Sequence, residues 1–407
     1  MREEQHKYIR RFIEASTGLS GVDLSNDLAE RIFESLTLAR ELVEPGVDSV
    51  CNWTREKGSL AELDESKTAW IDRELRSLAA VICPEADNAK HRTVWPENKP
   101  FALCLTHDVD FVTNLANATK LYRRLSRLAI ADGPRYLPLL QAAGSLIRLV
   151  TCIGKSDSLG HYEDWMKLEE KYGFKSTFYF FSFPGENLSV YDCDYKLNDS
   201  VTFDGIKMSV SEMMRTIDSA GWEIGLHGSY NSSENSFLLS EQKAALEHII
   251  QKEIISNRNH YLKFNALVTP QIQAEVGIRN DSTQGFNRFA GFRAGTSFPY
   301  WCWNHREGKS LPLLEIPMAL MDVALFRNNS TQQDADKALA TSIRTMDEVE
   351  SVGGCLTLNW HPNYLNNDVY WQSYVTLLQE ASRRNAWGCS AGELYNWWTE
   401  REQAATA

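Results

Sequence analysis

The chain has 407 residues, of which 43% are hydrophobic, and a formal net charge of −12. This length and hydrophobic content allow one large domain with a buried core and a second, smaller domain. The acidic balance argues against a dedicated nucleic-acid binder, because affinity for the phosphate backbone depends on clustered Lys and Arg. We therefore expect a globular protein whose partner is not nucleic acid.

The first residues and the cysteines indicate the compartment. The amino terminus, MREEQHKYIRRF, is charged and lacks the apolar segment of a signal peptide. Eight cysteines stand singly without a C-x-x-C pair, which indicates reduced thiols rather than a disulfide or zinc-ribbon framework. The longest apolar run, 136–154, is interrupted by Gln141 and Arg148, so we interpret it as an amphipathic helix and not as a transmembrane span. These features predict a cytoplasmic protein.

The first part of the chain, 1–95, is predicted to be a helical accessory domain followed by a linker. Apolar residues recur at helical spacing in DLAERIFESLTLARELVE. The segment from Pro84 to Pro100 is rich in proline and charge, which is typical of a linker.

From Phe101 onward, the chain alternates between strand-like and helix-like segments. Short apolar or β-branched runs occur at FALCLTHD, FKSTFYFFSF, WEIGLHGS, LLEIPMALMD and GCLTLNWHP, and stretches such as EQKAALEHIIQKEI separate several of them. This alternation predicts a mainly parallel sheet with helices, and a closed barrel is one solution at this length. We expect the barrel domain to span 96–400, with a tail at 401–407.

The first of these runs ends in charge. Residues two apart in a strand share a face, so Asp108 and Asp110 in THDVD are expected to project the same way from the carboxyl end of the strand. Active sites of α/β folds lie at that end. Two like charges this close are stabilised by a bound cation or a basic neighbour, although a helix cap plus a solvated aspartate explains a single D-x-D equally well.

Three further runs end in residues that suit chemistry. WEIGLHGS ends at His227, NRNHYLKF contains Arg258 and His260 two apart, and LTLNWHPNY contains Asn359 and His361 two apart. A single histidine after an apolar run is usually structural. The combination in one domain favours a shared site.

In motif order, THDVD, LHGSYNS, NRNHYL and LNWHP resemble the motifs of the polysaccharide deacetylase, or NodB-homology, family of carbohydrate esterases, in a bacterial branch with HDVD in place of TFDDG. The resemblance covers about Phe101 to Glu400. It implies an α/β fold, a distorted (β/α) barrel of about seven strands behind a small α-helical amino-terminal domain. It also implies hydrolysis of an N-acyl group, usually acetyl, from an amino sugar or sugar-containing biosynthetic intermediate by metal-activated water.

The resemblance assigns roles to individual residues. Asp108 corresponds to the general base and Arg258 to the residue that holds it. Asp110 and His227 correspond to metal ligands. His361 corresponds to the general acid that protonates the leaving amine.

One position departs from the family pattern. The second histidine of the metal motif is replaced by Asn231, and asparagine is a weak ligand for zinc. Either Asn231 binds through its carbonyl oxygen, or His260 supplies the third ligand, or the metal has been lost. We favour His260 and a divalent metal of the zinc type, because His260 shares a face with Arg258.

Substrate contacts are predicted for Arg293, Trp360 and Tyr230. Arg293 could bind an anionic sugar or nucleotide group, although a salt bridge explains it equally well. Trp360 either packs in the core or lines the acyl pocket. Neither the exact sugar and acyl group nor the oligomeric state follows from the sequence.

Other functions remain as alternatives. A metal-free amide hydrolase and a non-catalytic carbohydrate-binding module fit the same barrel. DVDFV also matches the D-x-D-x-[TV] pattern of haloacid-dehalogenase-type phosphatases, but their later acidic motif usually begins with Gly-Asp or Asp-Asp, and neither dipeptide occurs. A glycosyltransferase would leave Arg258, His260 and His361 without roles.

Overall fold

A computed structural model describes residues 1–43, 66–82, 94–113, 158–182, 189, 191–193, 195–326, 332–364 and 368–406. The amphipathic helix predicted at 136–154 lies outside these ranges, as does most of the predicted linker. No helix in the described ranges is both long enough and apolar enough to span a bilayer.

The described part of the chain mixes helices and strands throughout. Its helices are α1 Glu3–Thr17, α2 Asn26–Leu36, α3 Ala39–Val43, α4 Trp70–Ile82, α5 Tyr162–Lys171, α6 Val210–Ser219, α7 Ser236–Ile250, α8 Thr269–Val276, α9 Asp322–Leu325, α10 Gln332–Val352, α11 Asp368–Arg383 and α12 Ala391–Thr406. Its strands are β1 Ala102–Val109, β2 Thr177–Phe180, β3 Ser200–Phe203, β4 Ile206–Ser209, β5 Glu223–Gly228, β6 Ser256–Asn259, β7 Asn280–Asp281, β8 Tyr300–Asn304, β9 Lys309–Glu315, β10 Leu320–Met321, β11 Cys355–Asn359 and β12 Trp387–Cys389.

One curled sheet organises the molecule. Its strands follow the order β10-β11-β1-β2-β5-β6-β7-β9-β8, and β12 pairs with the first half of β1. Every pairing in this sheet is parallel except that of β8 with β9. The predicted distorted (β/α) barrel is therefore confirmed, with ten strands instead of about seven. The extra strands include β7 and β10, which are two residues long and carry little pattern in the sequence.

Strand β1 shows why the sheet is curled around a polar site. Its residues Leu103, Leu105 and Val109 pack in the larger hydrophobic cluster, which also contains residues of α5, α6, α10 and α11. The alternating positions Thr106 and Asp108 face the other side, where they bond to polar groups of neighbouring strands. The sheet thus has an apolar outer face under helices and a polar inner face at the carboxyl end.

The amino-terminal helices share a core with the barrel. Tyr8 of α1 and Phe33 of α2 pack edge-on against Trp303 of β8, with ring centroids 5.2 and 5.1 Å away. Trp95, in the predicted linker, is 2% exposed and stacks on Phe298. The end of that segment is therefore part of the core, because its tryptophan fills a space between the helices and the sheet. The proposed division at residue 95 remains a prediction.

Candidate functional site

The candidate site lies where the carboxyl ends of β1, β5, β6 and β11 meet. Strand register places Thr106 beside Asn359 and His227 beside Arg258. Because these strands are parallel, the residues that follow them emerge at the same edge. The sequence motifs that end in Asp, His and Arg are therefore brought together.

Asp108 and Arg258 form a buried ion pair at the centre of this edge. Arg258 Nη1 lies 3.0 Å from Asp108 Oδ1, and Asn359 Nδ2 donates to Asp108 Oδ2 at 2.8 Å. The guanidinium also donates to the Thr106 hydroxyl at 2.6 Å, and to the Ser282 carbonyl and hydroxyl oxygens at 2.8 Å each. Both partners are held on several sides, so the Asp108 carboxylate has a fixed orientation.

Burial and charge oppose each other at Arg258. Burial by itself lowers the pKa of the guanidinium, but the Asp108 carboxylate beside it raises the pKa above its ordinary value. The ring of Tyr179 lies 4.8 Å from the guanidinium carbon and gives it a π face. That ring lies over Gly225, where a Cβ atom would stand 2.5 Å from it. Glycine at this position therefore permits the ring to support Arg258.

Four side chains beside this pair form a group that could hold a metal ion: Asp110, Cys193, His227 and His260. Each offers one ligand atom, and these atoms lie within 4.8 Å of one another. Asp110 Oδ1 is 3.4 Å from His227 Nε2 and 3.6 Å from His260 Nδ1. The side chain of Asp110 is 20% exposed and the other three residues are buried, so the group is accessible from the side of Asp110.

The orientation of His227 suits metal binding. Its Nδ1 atom lies 2.9 Å from the carbonyl oxygen of Arg258, which can only accept a hydrogen bond. The proton therefore sits on Nδ1, and the lone pair of Nε2 is directed toward Asp110. A second hydrogen bond of this type is what fixes the tautomer of metal-binding histidines.

His361 forms a second pair, with Asp322 at the start of α9. His361 Nδ1 donates to Asp322 Oδ1 at 2.7 Å, and the His361 backbone N–H donates to Oδ2 at 2.8 Å. Burial lowers the pKa of His361, but the charge and hydrogen bond of Asp322 outweigh it and raise the pKa to about 10. The other ring nitrogen, Nε2, lies 3.9 Å from Asp110 Oδ2. His361 is therefore a protonated imidazole that faces the candidate metal group.

The structure brings some predicted residues to this site and leaves others elsewhere. Arg293 makes a two-point ion pair with Glu41, at 2.8 and 2.7 Å, which ties its guanidinium to α3. Trp360 is fully buried, and its ring packs with that of Tyr374 in the core at 5.7 Å. Asn231 is exposed at the start of a 3₁₀ turn. None of these three has a contact that joins it to the group around Asp110 among those the structure describes.

Tyr230 lies at the rim of the site. Its ring lies 4.6 Å from that of Tyr191 and 6.3 Å from that of Tyr261. The Tyr261 ring in turn lies 4.7 Å from His260. Three tyrosines thus form an aromatic cluster beside the candidate metal group.

Sequence reasoning missed two residues of the site. Cys193 was passed over in VYDCDYK, where the neighbouring aspartates and tyrosines were read as loop residues. Asp322 was interpreted as a strand-end cap in LMDVALF. The strand-end rule applied to Asp108 would have found Asp322, because it directly follows β10, whereas Cys193 follows no strand and gave no such signal.

No protein-family model matches the chain, and no curated protein matches it. Among solved structures, a protein from Mycobacterium smegmatis assigned as a polysaccharide deacetylase is 18% identical with a TM-score of 0.48, over 77% of this chain and 93% of that one. The allantoinase PuuE is 14% identical with a TM-score of 0.47, over 75% and 92%. A protein from Pseudomonas aeruginosa PAO1, also assigned as a polysaccharide deacetylase, is 13% identical with a TM-score of 0.46, over 76% and 94%. At these values the roles of residues have to be argued from the geometry of the site.

Proposed function

We propose that this chain is a metal-dependent hydrolase that removes an N-acyl group, acetyl in the first instance, from an amino sugar or a sugar-containing biosynthetic intermediate. The observation that carries this proposal is that three elements meet at one edge of the sheet. These are the Asp108–Arg258 pair, the His361–Asp322 pair and the group around Asp110. Amide hydrolysis needs an activated water, a stabilised oxyanion and a proton for the amine, and no single residue supplies all three.

The donor atoms suit a divalent ion of the zinc type. Asp110 offers a carboxylate oxygen, and His227 and His260 offer imidazole nitrogens at 3.4 and 3.6 Å from it. A bound ion would supply a Lewis acid that polarises the acyl carbonyl and makes water more acidic. The exposed side of Asp110 is where the acyl group would approach.

Asp108 is the general base in this proposal. Each of its two oxygens already accepts one hydrogen bond, from Arg258 and from Asn359, and each retains a further lone-pair site. The carboxylate can therefore accept the proton of the attacking water without rotating. Arg258 is a positioning residue, because it holds Asp108 and compensates its buried charge.

His361 is the general acid. Its Nδ1 proton is used by Asp322, and its Nε2 proton is directed to the side of Asp110. When water oxygen bonds to the acyl carbon and the C–N bond breaks, the amine nitrogen takes this proton. The acyl group then leaves as a carboxylic acid and the sugar as a free amine.

The sugar class rests on the sequence motifs and on the aromatic rim. Tyr230 and its neighbours Tyr191 and Tyr261 offer ring faces close to His260. Aromatic faces combine apolar area with a polar hydroxyl, which suits a sugar ring that has apolar and polar sides. An N-acyl group bound over Asp110 would place its sugar against this rim.

The test is mass spectrometry of a panel of N-acyl sugars incubated with the purified chain and zinc. We expect loss of the acyl mass from at least one of them. Two variants divide the roles: Asp110→Asn should lose metal and activity, whereas Asp108→Asn should retain metal and lose activity by about 10²–10⁴-fold. Asp204→Asn, at an exposed ion pair with Lys167, is the matched control for loss of a carboxylate.

Two outcomes would contradict the proposal. Equal metal content in the wild type and Asp110→Asn would exclude Asp110 as a ligand. Undiminished hydrolysis by metal-free protein would favour the metal-free amide hydrolase. A chain that binds sugars without removing any acyl group would be a binding module.

A further inference from the structure

The candidate metal group contains a cysteine that the proposed reaction does not use. Cys193 is fully buried, and its Sγ atom lies 3.3 Å from His260 Nδ1 and 3.8 Å from Asp110 Oδ1. Both of these atoms belong to the residues proposed above as metal ligands. The thiol is therefore directed into the site and not into the apolar core.

Neighbouring residues hold Cys193 in this position. Asp192 Oδ1 accepts the backbone N–H of Tyr230 at 2.7 Å, immediately after β5. The hydroxyl of Tyr195 accepts the backbone N–H of Phe181 at 2.7 Å, immediately after β2. The residues on both sides of the thiol are thus bonded to the same strand ends that build the site. The position of Cys193 is a consequence of the fold and not of a surface loop that happens to pass by.

The spacing of the four atoms matches a tetrahedral metal centre. Zinc bonds of about 2.0–2.3 Å to N, O and S place neighbouring ligand atoms of a tetrahedron roughly 3.3–3.8 Å apart. The four measured separations among these atoms are 3.3, 3.4, 3.6 and 3.8 Å. Side chains that only packed against one another would not need to converge on this set of distances with four different donor atoms.

We propose that Cys193 is the fourth protein ligand of an Asp110–Cys193–His227–His260 metal site. This inference rests on the proposed function for the presence of a metal, and it adds the thiolate. It also accounts for Asn231, which is exposed and has no contact with the group among the described residues. The donors that an Asn231 carbonyl would have to replace are supplied by Cys193 and His260.

Two chemical consequences follow. The thiol must lose its proton to bind, so metal uptake releases a proton to solution. A thiolate with two imidazoles favours zinc over magnesium or manganese, which prefer oxygen ligands. Four protein ligands also fill a tetrahedral site, whereas catalytic zinc usually keeps one position open. The resting site is therefore closed, and substrate binding requires either a fifth ligand or release of the thiolate.

The test uses cobalt(II) in place of zinc, because a cobalt–thiolate bond gives a charge-transfer absorption in the near ultraviolet that oxygen and nitrogen ligands do not give. Wild-type chain and Cys302→Ser should show this absorption on stoichiometric cobalt binding. Cys302 is the matched control, because it is also buried but belongs to a separate hydrophobic cluster. Cys193→Ser should lack the absorption and bind zinc at least about 100-fold more weakly.

A second measurement needs no variant. Zinc should protect Cys193 from alkylation by N-ethylmaleimide under mildly denaturing conditions, as read by peptide mass spectrometry, whereas protection of Cys302 should not depend on zinc. Stoichiometric cobalt binding without the charge-transfer absorption would overturn the role of Cys193 and leave the proposed hydrolase intact. Absorption that persists in Cys193→Ser would also overturn it. Loss of acyl hydrolysis alone, with the absorption present, would contradict the proposed function and not the metal site.

Discussion

Two buried histidine–carboxylate pairs lie on opposite faces of the same strands. His361 and Asp322 are on the inner face, with His361 Nδ1 bonded to Asp322 at 2.7 Å and Nε2 directed toward Asp110. On the outer face, His107 Nδ1 donates to the Trp360 carbonyl at 2.7 Å and Nε2 lies 2.7 Å from Glu169.

The difference lies in what each ring nitrogen does. Both nitrogens of His107 are used by the protein, and Glu169 also accepts hydrogen bonds from Ser176, Trp222 and Tyr374. His361 keeps one nitrogen for the site. The same residue types thus make a structural centre on one face and a chemical group on the other. The number of nitrogens left for a substrate distinguishes the two, not the histidine itself or its burial.

The largest effect is expected from His361→Gln. Loss of the general acid should lower kcat by about 10²–10⁴-fold, while bound metal and the thermal midpoint change little. His248→Gln, at an exposed position near the end of α7, is the control. Steady-state kinetics and metal analysis check this result. Activity within a few-fold of the wild type would show that His361 is as structural as His107.

On the outer face, Glu169→Ala should act on stability. Removing this carboxylate leaves His107 and three other donors without their acceptor, which should cost about 3–5 kcal/mol of the free energy of unfolding. Glu169→Gln should cost less, because it keeps one acceptor oxygen. Urea denaturation measures the loss, and kcat of the protein that remains folded should stay near the wild-type value. A stable but inactive Glu169→Ala would erase the distinction between the faces.

Asp322→Asn should have a smaller effect than His361→Gln. Carboxylates that orient a functional histidine elsewhere contribute about 10–100-fold, and we expect a loss of this size in kcat with little change in KM. A purely structural role would instead lower the unfolding free energy and leave kcat of the folded enzyme unchanged. A rise in KM alone would indicate that Asp322 shapes the substrate pocket and does not position His361.

The smallest effect concerns Asp72, a buried carboxyl with hydroxyl partners and no histidine. Burial raises its pKa from 3.8 to about 7, although hydrogen bonds from Thr296 and Ser297 act in the opposite direction. The folded state therefore binds this proton more tightly than the unfolded state. The associated stability is complete below about pH 4 and is lost as pH rises toward 7.

Asp72→Asn removes this titration. The variant should show a shallower fall of the thermal midpoint between pH 4 and pH 7 than the wild type, whatever its absolute stability. Scanning calorimetry at several pH values measures both slopes. Parallel slopes would mean that Asp72 is ionised throughout, held by its hydrogen bonds to Thr296 and Ser297.

The sequence determined the barrel and the centre of the site. Strand-like runs ending in Asp108, His227, Arg258 and His361 could be read from period and composition, since parallel strands bring their carboxyl ends to one edge. Adjacent positions in β1 were also separable, because alternation sends His107 and Asp108 to opposite faces. The short strands β7 and β10 could not be predicted, because two residues carry no period.

Only the tertiary structure decided which groups join this centre from outside the strands. Cys193 is brought to His260 by hydrogen bonds of its neighbours to two strand ends, and Arg293 is taken up by Glu41, 252 residues away in the chain. Neither contact leaves a local pattern, because each depends on a partner distant in sequence. Local periodicity sets which face of a strand a side chain takes, whereas the partner it meets there depends on how the distant parts of the chain pack.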